Sequence, residues 1–299
     1  MVGRSRIIDA VLAAALMAPA AGGASPEDAA TGPRHCLWRV RSATNTVYLL
    51  GSIHIMRHDA FPLAAVIETA FSSSSVAVFE IDLSADATVG SALGALAAGA
   101  LPEGRTLSDV VSPETYRLAT QRLADAGYDI AALQRMRPWM VATTLTLAEL
   151  QRAGYSPSDG VDQVFQRRAT DSGMRVVGLE TIDDQLALFA DLTPEEDEAF
   201  LVQTLRELEA LIPQVDELTA HWRAGRVAEV EALLADGFAA FPRLFEKLVV
   251  DRNRRWLPQI EALLAGDQRA FVAVGALHLV GDQGVVELLR AKGYHVEQL

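Results

Sequence analysis

Two tetrapeptides of one make stand near opposite ends of the 299-residue chain, Gly51-Ser52-Ile53-His54 and Gly275-Ala276-Leu277-His278. Each follows an apolar, strand-like run, Val47–Leu50 in the first case and Val272–Val274 in the second. A glycine three positions before each histidine would let the chain turn sharply off its strand and bring the imidazole over the sheet edge. Imidazole is the commonest transition-metal ligand, and two imidazoles with a carboxylate and an open position form the arrangement of catalytic Zn, Mn and Fe sites. His54 and His278 are therefore the candidate metal ligands. Glu80 best supplies the carboxylate, as ligand or as base on water, because it lies inside the apolar run Val76–Ile81, where an unpaired charge would be costly. Glu180, after the run Val176–Leu179, is the second candidate and otherwise a substrate contact.

Three further residues bear on the chemistry. His54-x-x-x-His58 has the spacing that places two ligands on one helix face, but the Asp59-Ala60-Phe61-Pro62 that follows reads as loop, so His58 is carried as a metal or substrate contact. Arg252 and Asn253 lie in a helical run with Asp251, Arg254 and Arg255, which on its own could be a solvated basic face. In the functional reading Arg252 anchors a substrate carbonyl or stabilises an oxyanion, and Asn253 orients a neighbour. The chain has no His-Glu-x-x-His and no Gly-x-Ser-x-Gly, so the zincin and serine-hydrolase signatures are both missing. His35, His221 and His295 carry no partner signal. Cys36 is the only cysteine, which excludes an internal disulfide and leaves it a packing role.

The elements that must position these groups can be read from periodicity and punctuation. Leu37–Val40 and Val47–Leu50 are short β-rich runs joined by Ser42-Ala43-Thr44-Asn45, a hairpin. After each Gly-x-x-His come a loop, an amphipathic helix and a further strand: Ala64–Phe71 then Val76–Ile81 at the front, Gly284–Lys292 then Tyr294–Val296 at the back. The chain thus carries two βαβ-type repeats with a histidine at the same address, the carboxyl edge where α/β folds place their sites. Between them lies a helical insertion over about 86–265, with starts such as Ser112-Pro113-Glu114 and Thr193-Pro194-Glu195-Glu196. One strand near 174–179, after the turn Asp171-Ser172-Gly173, interrupts it. The expectation is an α/β fold with a mixed central sheet.

Composition bounds the partners. With half its residues hydrophobic the chain has ample material for a core, and a formal charge of −13 repels phosphate backbones and anionic membranes, which argues against nucleic acid. Arg4 and Arg6 precede the apolar run Ile7–Ala20, which ends in Ala18-Pro19-Ala20. That is the pattern of a signal peptide over 1–20, followed by a flexible linker over 21–34 and a single domain over 35–299. The protein is accordingly expected in the periplasm or secreted, with no stable membrane span once the leader is cut. Nothing in the sequence sets an oligomeric state.

Leu50-Gly51-Ser52-Ile53-His54, Phe79-Glu80, Val177-Gly178-Leu179-Glu180-Thr181, Asp251-Arg252-Asn253 and the run Val274 to Gly281, closing on Gly293-Tyr294, together resemble the TraB/PrgY/GumN family, Tiki-like proteases included. The similarity spans about Leu37 to Leu299. It implies an erythromycin-esterase/ChaN-like fold and a metal-dependent peptidase activity with His54, Glu80 and His278 as active residues. On that reading the cofactor is a divalent ion, Mn or Zn with Co as a further option, and the substrate is an extracytoplasmic peptide or protein. Two alternatives stand beside it: a haem- or metal-binding protein using the same histidines, and a protein that captures peptides without cutting them.

Overall fold

A computed structural model describes residues 34–82, 94 and 97–299. The leader expected over 1–20, and the linker up to residue 33, lie outside the described residues. The strands are β1 (Leu37–Arg41), β2 (Thr46–Ser52), β3 (Met56–Arg57), β4 (Val76–Ile81), β5 (Tyr155–Ser156), β6 (Arg175–Glu180), β7 (Ala270–Gly275) and β8 (His295–Gln298). The longer described helices are α1 (Ala65–Ser72), α2 (Pro113–Asp125), α3 (Pro138–Arg152), α4 (Val161–Asp171), α5 (Ile182–Ala190), α6 (Pro194–Glu207), α7 (Leu211–Arg223), α8 (Val227–Asp236), α9 (Asp251–Ala265) and α10 (Val285–Ala291). Described residues fall into two compact units, one of 34–82, 155–181 and 216–299, the other of 94, 97–154 and 182–215. The helical stretch expected over about 86–265 is divided between them.

The first unit holds a six-stranded mixed sheet in the order β6-β4-β7-β2-β1-β8. Its start is the expected hairpin: Arg41 faces Thr46 across the turn, where the Ser42 N–H donates to the Asn45 carbonyl at 3.0 Å and the Asn45 N–H donates to Ser42 Oγ at 2.9 Å. β6, β4, β7 and β2 run parallel, and β1 is antiparallel to both β2 and β8. The two repeats interlock rather than lie side by side. β7 inserts between β2 and β4, and β8 crosses over to the far side of β1 instead of pairing with β7. Every residue of β7 and five of the six in β4 are buried, which is why both read as mainly apolar runs, with Glu80 the one charged residue in β4.

Register then decides where the candidate residues emerge. Ser52 of β2 lies opposite Gly275 of β7, so the two Gly-x-x-His segments leave neighbouring strands almost level. Phe79 of β4 pairs with Ala273 on one side and Gly178 of β6 on the other, which sends Glu80 and Glu180 to the same carboxyl edge.

The second unit is helical. Ser112 Oγ caps α2 by accepting from the Thr115 N–H at 3.2 Å, and Thr193 with Glu196 forms a reciprocal capping box at α6, each with proline at the first helical position. Among its described residues Asp197 is buried and accepts from Arg137 Nε at 2.8 Å and from the Trp139 N–H at 2.6 Å. Among the described residues, no helix is long and apolar enough to cross a membrane.

Neither motif glycine has a left-handed backbone, and Gly51 is explained by packing rather than by a turn. Gly275 sits at φ −48° and ψ 137°, and Gly51 lies within β2 without a positive φ. A Cβ on Gly51 would come within 3.0 Å of Ala276 Cα and 3.2 Å of its Cβ, so glycine is needed because the second motif packs directly on the first. Gly51→Ala is expected to destabilise the protein by about 1–3 kcal/mol through this backbone clash, read as a lower urea midpoint with an unchanged slope.

Candidate functional site

Four carboxyl-edge side chains and one helix build a single polar cluster. Arg252, on the first turn of α9, follows a π-helical turn over Glu246–Val250 and is 2% exposed. Its Nε donates to both Glu180 oxygens (3.1 and 3.2 Å), and its Nη2 donates to Glu180 Oε1 (2.6 Å) and Glu80 Oε2 (2.5 Å). Its Nη1 donates to the Leu248 carbonyl and to His278 Nε2, both at 3.0 Å. Every guanidinium N–H is thereby used. The guanidinium also lies 4.6 Å over the Trp256 ring, and Trp256 Nε1 donates to Glu180 Oε2 at 3.2 Å. Glu80 Oε1 accepts from the Gly275 N–H at 2.8 Å and stands 3.6 Å from His54 Nε2 and 3.9 Å from His278 Nε2.

The two imidazoles are held by unlike partners. His54 Nδ1 bonds Asp162 Oδ2 at 2.9 Å, at the start of α4. That contact is fixed by the backbone: the Val161 N–H donates to the Ile53 carbonyl at 2.9 Å, and any Cβ at Gly160 would lie 2.3 Å from the His54 carbonyl oxygen. His278 Nδ1 bonds Asn253 Oδ1 at 2.7 Å, while Asn253 Nδ2 donates to the Gln283 carbonyl at 2.8 Å. A carbonyl only accepts, so the Gln283 contact sets the amide orientation and requires the proton of His278 to be on Nδ1. Nε2 is then the bare nitrogen that Arg252 fills.

Charge follows from these partners. Burial works to raise the Glu80 carboxyl, but the Arg252 guanidinium, the two histidines and the Gly275 N–H carry it well below the ordinary glutamate range. Burial opposes a charged His54, yet the charge and hydrogen bond of Asp162, helped by Glu80, raise it to about 9. Burial and the adjacent Arg252 push His278 well below the ordinary histidine value.

His54, Glu80, Glu180, Arg252, Asn253 and His278 are thus brought together. His58 is not: it lies on a separate 3-10 turn, its side chain is 95% exposed, and its partner is Asp159 at 3.2 Å. The substrate-anchoring role expected of Arg252 finds no free donor, and Glu180, 5% exposed at its side chain, is held by Arg252 and Trp256 rather than turned to a substrate. Asn253 lies in the cluster, bonded through Oδ1 to His278 Nδ1 at 2.7 Å. Sequence reading missed Asp162 and Trp256, which look like a routine first-turn acid and a core aromatic.

A divalent ion can be tested against these donors. His54 Nε2 is buried with no hydrogen-bond partner and faces Glu80 Oε1, which is what an imidazole–carboxylate pair offers a cation; the Asp162 carboxylate behind it is the usual outer support. His278 Nε2 is engaged by Arg252. Among the described residues no group of three or more His, Cys, Asp or Glu side chains is arranged to hold a metal ion. The two donors that face each other are His54 Nε2 and Glu80 Oε1, at 3.6 Å.

Fold and cluster together define an α/β protein with one buried polar site at the carboxyl edge of a parallel core, built from two strand–Gly-x-x-His segments. The TraB/PrgY/gumN family model matches residues 36–298, and the chain belongs to that family. It is 25% identical to the uncharacterized protein YbaP of Escherichia coli strain K12 over 243 residues, covering 81% of this chain and 87% of the relative. It is 27% identical over 320 residues to metalloprotease TIKI1 of Danio rerio, and 26% identical over 320 residues to metalloprotease TIKI1 of Homo sapiens. Both matches cover 87% of this chain but only 62% and 61% of the relatives, so it spans about three fifths of their length. No solved structure matches it.

The raised His54 value gives a signed stability prediction. A histidine whose folded pKa of about 9 exceeds its unfolded value near 6.5 contributes stability that is complete below pH 6.5 and is lost as pH rises to 9. In EDTA the protein should lose about 1–3 kcal/mol over that window, and Asp162→Asn should flatten the loss. Urea unfolding at pH 6 and pH 9.5 checks this.

Proposed function

We propose that the chain is a metal-assisted hydrolase that cuts peptide bonds outside the cytoplasm, with His54 and Glu80 at the reacting end of its site. The observation that carries this reading is His54 Nε2, buried, without a hydrogen bond, 3.6 Å from Glu80 Oε1 and backed at Nδ1 by Asp162. The metalloprotease name of the TIKI relatives supports a peptide or protein as substrate and a divalent ion as cofactor. The leader-like first twenty residues support a periplasmic or secreted location.

His54 and Glu80 would hold the ion. When bound, an ion such as Mn or Zn supplies Lewis-acid polarisation of the scissile carbonyl and activates water at neutral pH. The chain's own groups prepare that chemistry. Glu80 stays ionised throughout the working pH range because Arg252 sits on it, and the Gly275 N–H fixes its second oxygen. Asp162 sets the ring of His54. Of the two motif histidines only His54 meets solvent, at 23% side-chain exposure against none for His278, so substrate approaches from its side. Two residues beyond His54, the β3–β5 ribbon borders a cleft of about 210 Å³ lined by Met56, Arg57, Tyr155, Asp216 and Arg223.

The test is mass spectrometry of a peptide mixture incubated with EDTA-stripped protein, before and after Mn or Zn is returned. Cleavage should appear with the ion, and His54→Ala and Glu80→Gln should each lower kcat/KM by at least about 100-fold. Peptides that bind but stay intact with the metal-supplied wild type would leave a capturing protein instead.

A further inference from the structure

We infer that the two Gly-x-x-His histidines do different work: His54 faces the reacting groups, while His278 is a positioning residue that holds the Arg252 guanidinium, and through it Glu80, in place. The inference rests on the hydrolytic reading of this cluster but is carried by separate observations.

The division starts at Nδ1. Behind His54 is a carboxylate, Asp162, and its far nitrogen Nε2 has no hydrogen-bond partner. Behind His278 is a neutral amide, Asn253, pinned by the Gln283 carbonyl, and its far nitrogen is filled by Arg252 Nη1 at 3.0 Å. Freeing His278 Nε2 for any other ligand would require Arg252 to withdraw. That guanidinium is 2% exposed, bonded through all its N–H groups, stacked on Trp256 and shared between two carboxylates, so withdrawal would strand a buried charge. His278 itself is wholly buried, with the Trp256 ring 4.4 Å from its own. Nothing comparable holds His54 Nε2. The sequence repeat therefore delivers two imidazoles to one edge, and the residues behind them split the pair. One is left open at Nε2. The other is locked as an acceptor, so that Arg252 is aimed at Glu80 and Glu180 together. A cation entering the cluster would fall to His54 and Glu80, and His278 would stay behind the guanidinium.

The experiment is two-bond ¹H–¹⁵N spectroscopy of the imidazoles in the full-length, ¹⁵N-labelled protein, in EDTA and then with added zinc, assigned with His54→Gln and His278→Gln. In EDTA at neutral pH, His278 should show the neutral pattern with the proton on Nδ1. Zinc should move the Nε2 resonance of His54 and leave that of His278 in place. His278→Gln, whose amide oxygen can still accept from Arg252, should keep zinc affinity within about threefold, whereas His54→Gln should lose at least about 100-fold. Protonation of His278 at Nε2, or a zinc-induced shift of that nitrogen to a ligated value, overturns the proposal. So does an equal loss of zinc affinity in both variants. If the wild type takes up no zinc, the metal-assisted reading falls, while the tautomer seen in EDTA still decides this one.

Discussion

The site depends on one buried guanidinium. Taking an arginine out of water is costly unless partners surround it, and Arg252 is surrounded completely: Glu80 from β4, Glu180 from β6, His278 from the segment after β7, and the Leu248 carbonyl from the π-helical turn before α9. Each partner needs the others. Without Arg252, Glu80 and Glu180 would be two buried like charges facing each other along one sheet edge, and His278 Nε2 would be an unsatisfied acceptor. The planar fork of arginine suits this better than a lysine ammonium, since only the fork can address two carboxylates and an imidazole from fixed directions.

The fold makes that convergence automatic. Four parallel strands in the order β6-β4-β7-β2 end at one edge, and the register keeps their last residues level. Interleaving β7 between β2 and β4 puts the Glu80 strand on one side of the second motif and the His54 strand on the other. The tight packing of Gly51 on Ala276 brings the two motif segments together, and Trp222 Nε1, donating to the Gly51 carbonyl at 2.6 Å, satisfies a backbone acceptor that this close packing buries. A carboxylate or imidazole at any of these strand ends is then set within a few ångströms of its neighbours without long loops to order.

What could be read from the chain follows the range of the interactions involved. The hairpin, the caps at Ser112 and Thr193, and strands β4, β6 and β7 are encoded locally, in turn residues and apolar runs, and all are present. The last strand starts one residue later than the Tyr294–Val296 run marks it, and its place beside β1 is a long-range pairing that no local pattern records. Arg252 stood out as a basic residue in an acidic chain, but in a run with Arg254 and Arg255 it looks like a surface residue; only burial between two strand ends changes it into a structural cation. Asp162 is the plainest case. As an acid in the first turn of α4 it satisfies every rule for a solvated helix start, and its task becomes visible only when Gly160 and Val161 are seen packed against the backbone of His54.

The unequal histidines also make sense of the local charge. Among the described residues three carboxylates, Glu80, Glu180 and Asp162, border the cluster, with Arg252 as the buried cation between them; Arg255 approaches Glu180 only to 3.9 Å from an exposed position where solvent screens it. With both imidazoles neutral, the cluster carries two negative charges more than it balances. That excess is concentrated away from Arg252, between Glu80 and Asp162, and His54 lies between them. A proton on His54 offsets half of it, which is the physical content of its raised pKa. A divalent ion at the same nitrogen, taking the place of that proton, would offset all of it. The same accounting leaves His278 with nothing to neutralise, because the guanidinium already occupies its lone pair. The field of the cluster and the hydrogen-bond geometry therefore select the same histidine, and they do so through residues, Asp162 and Asn253, that lie outside both repeats.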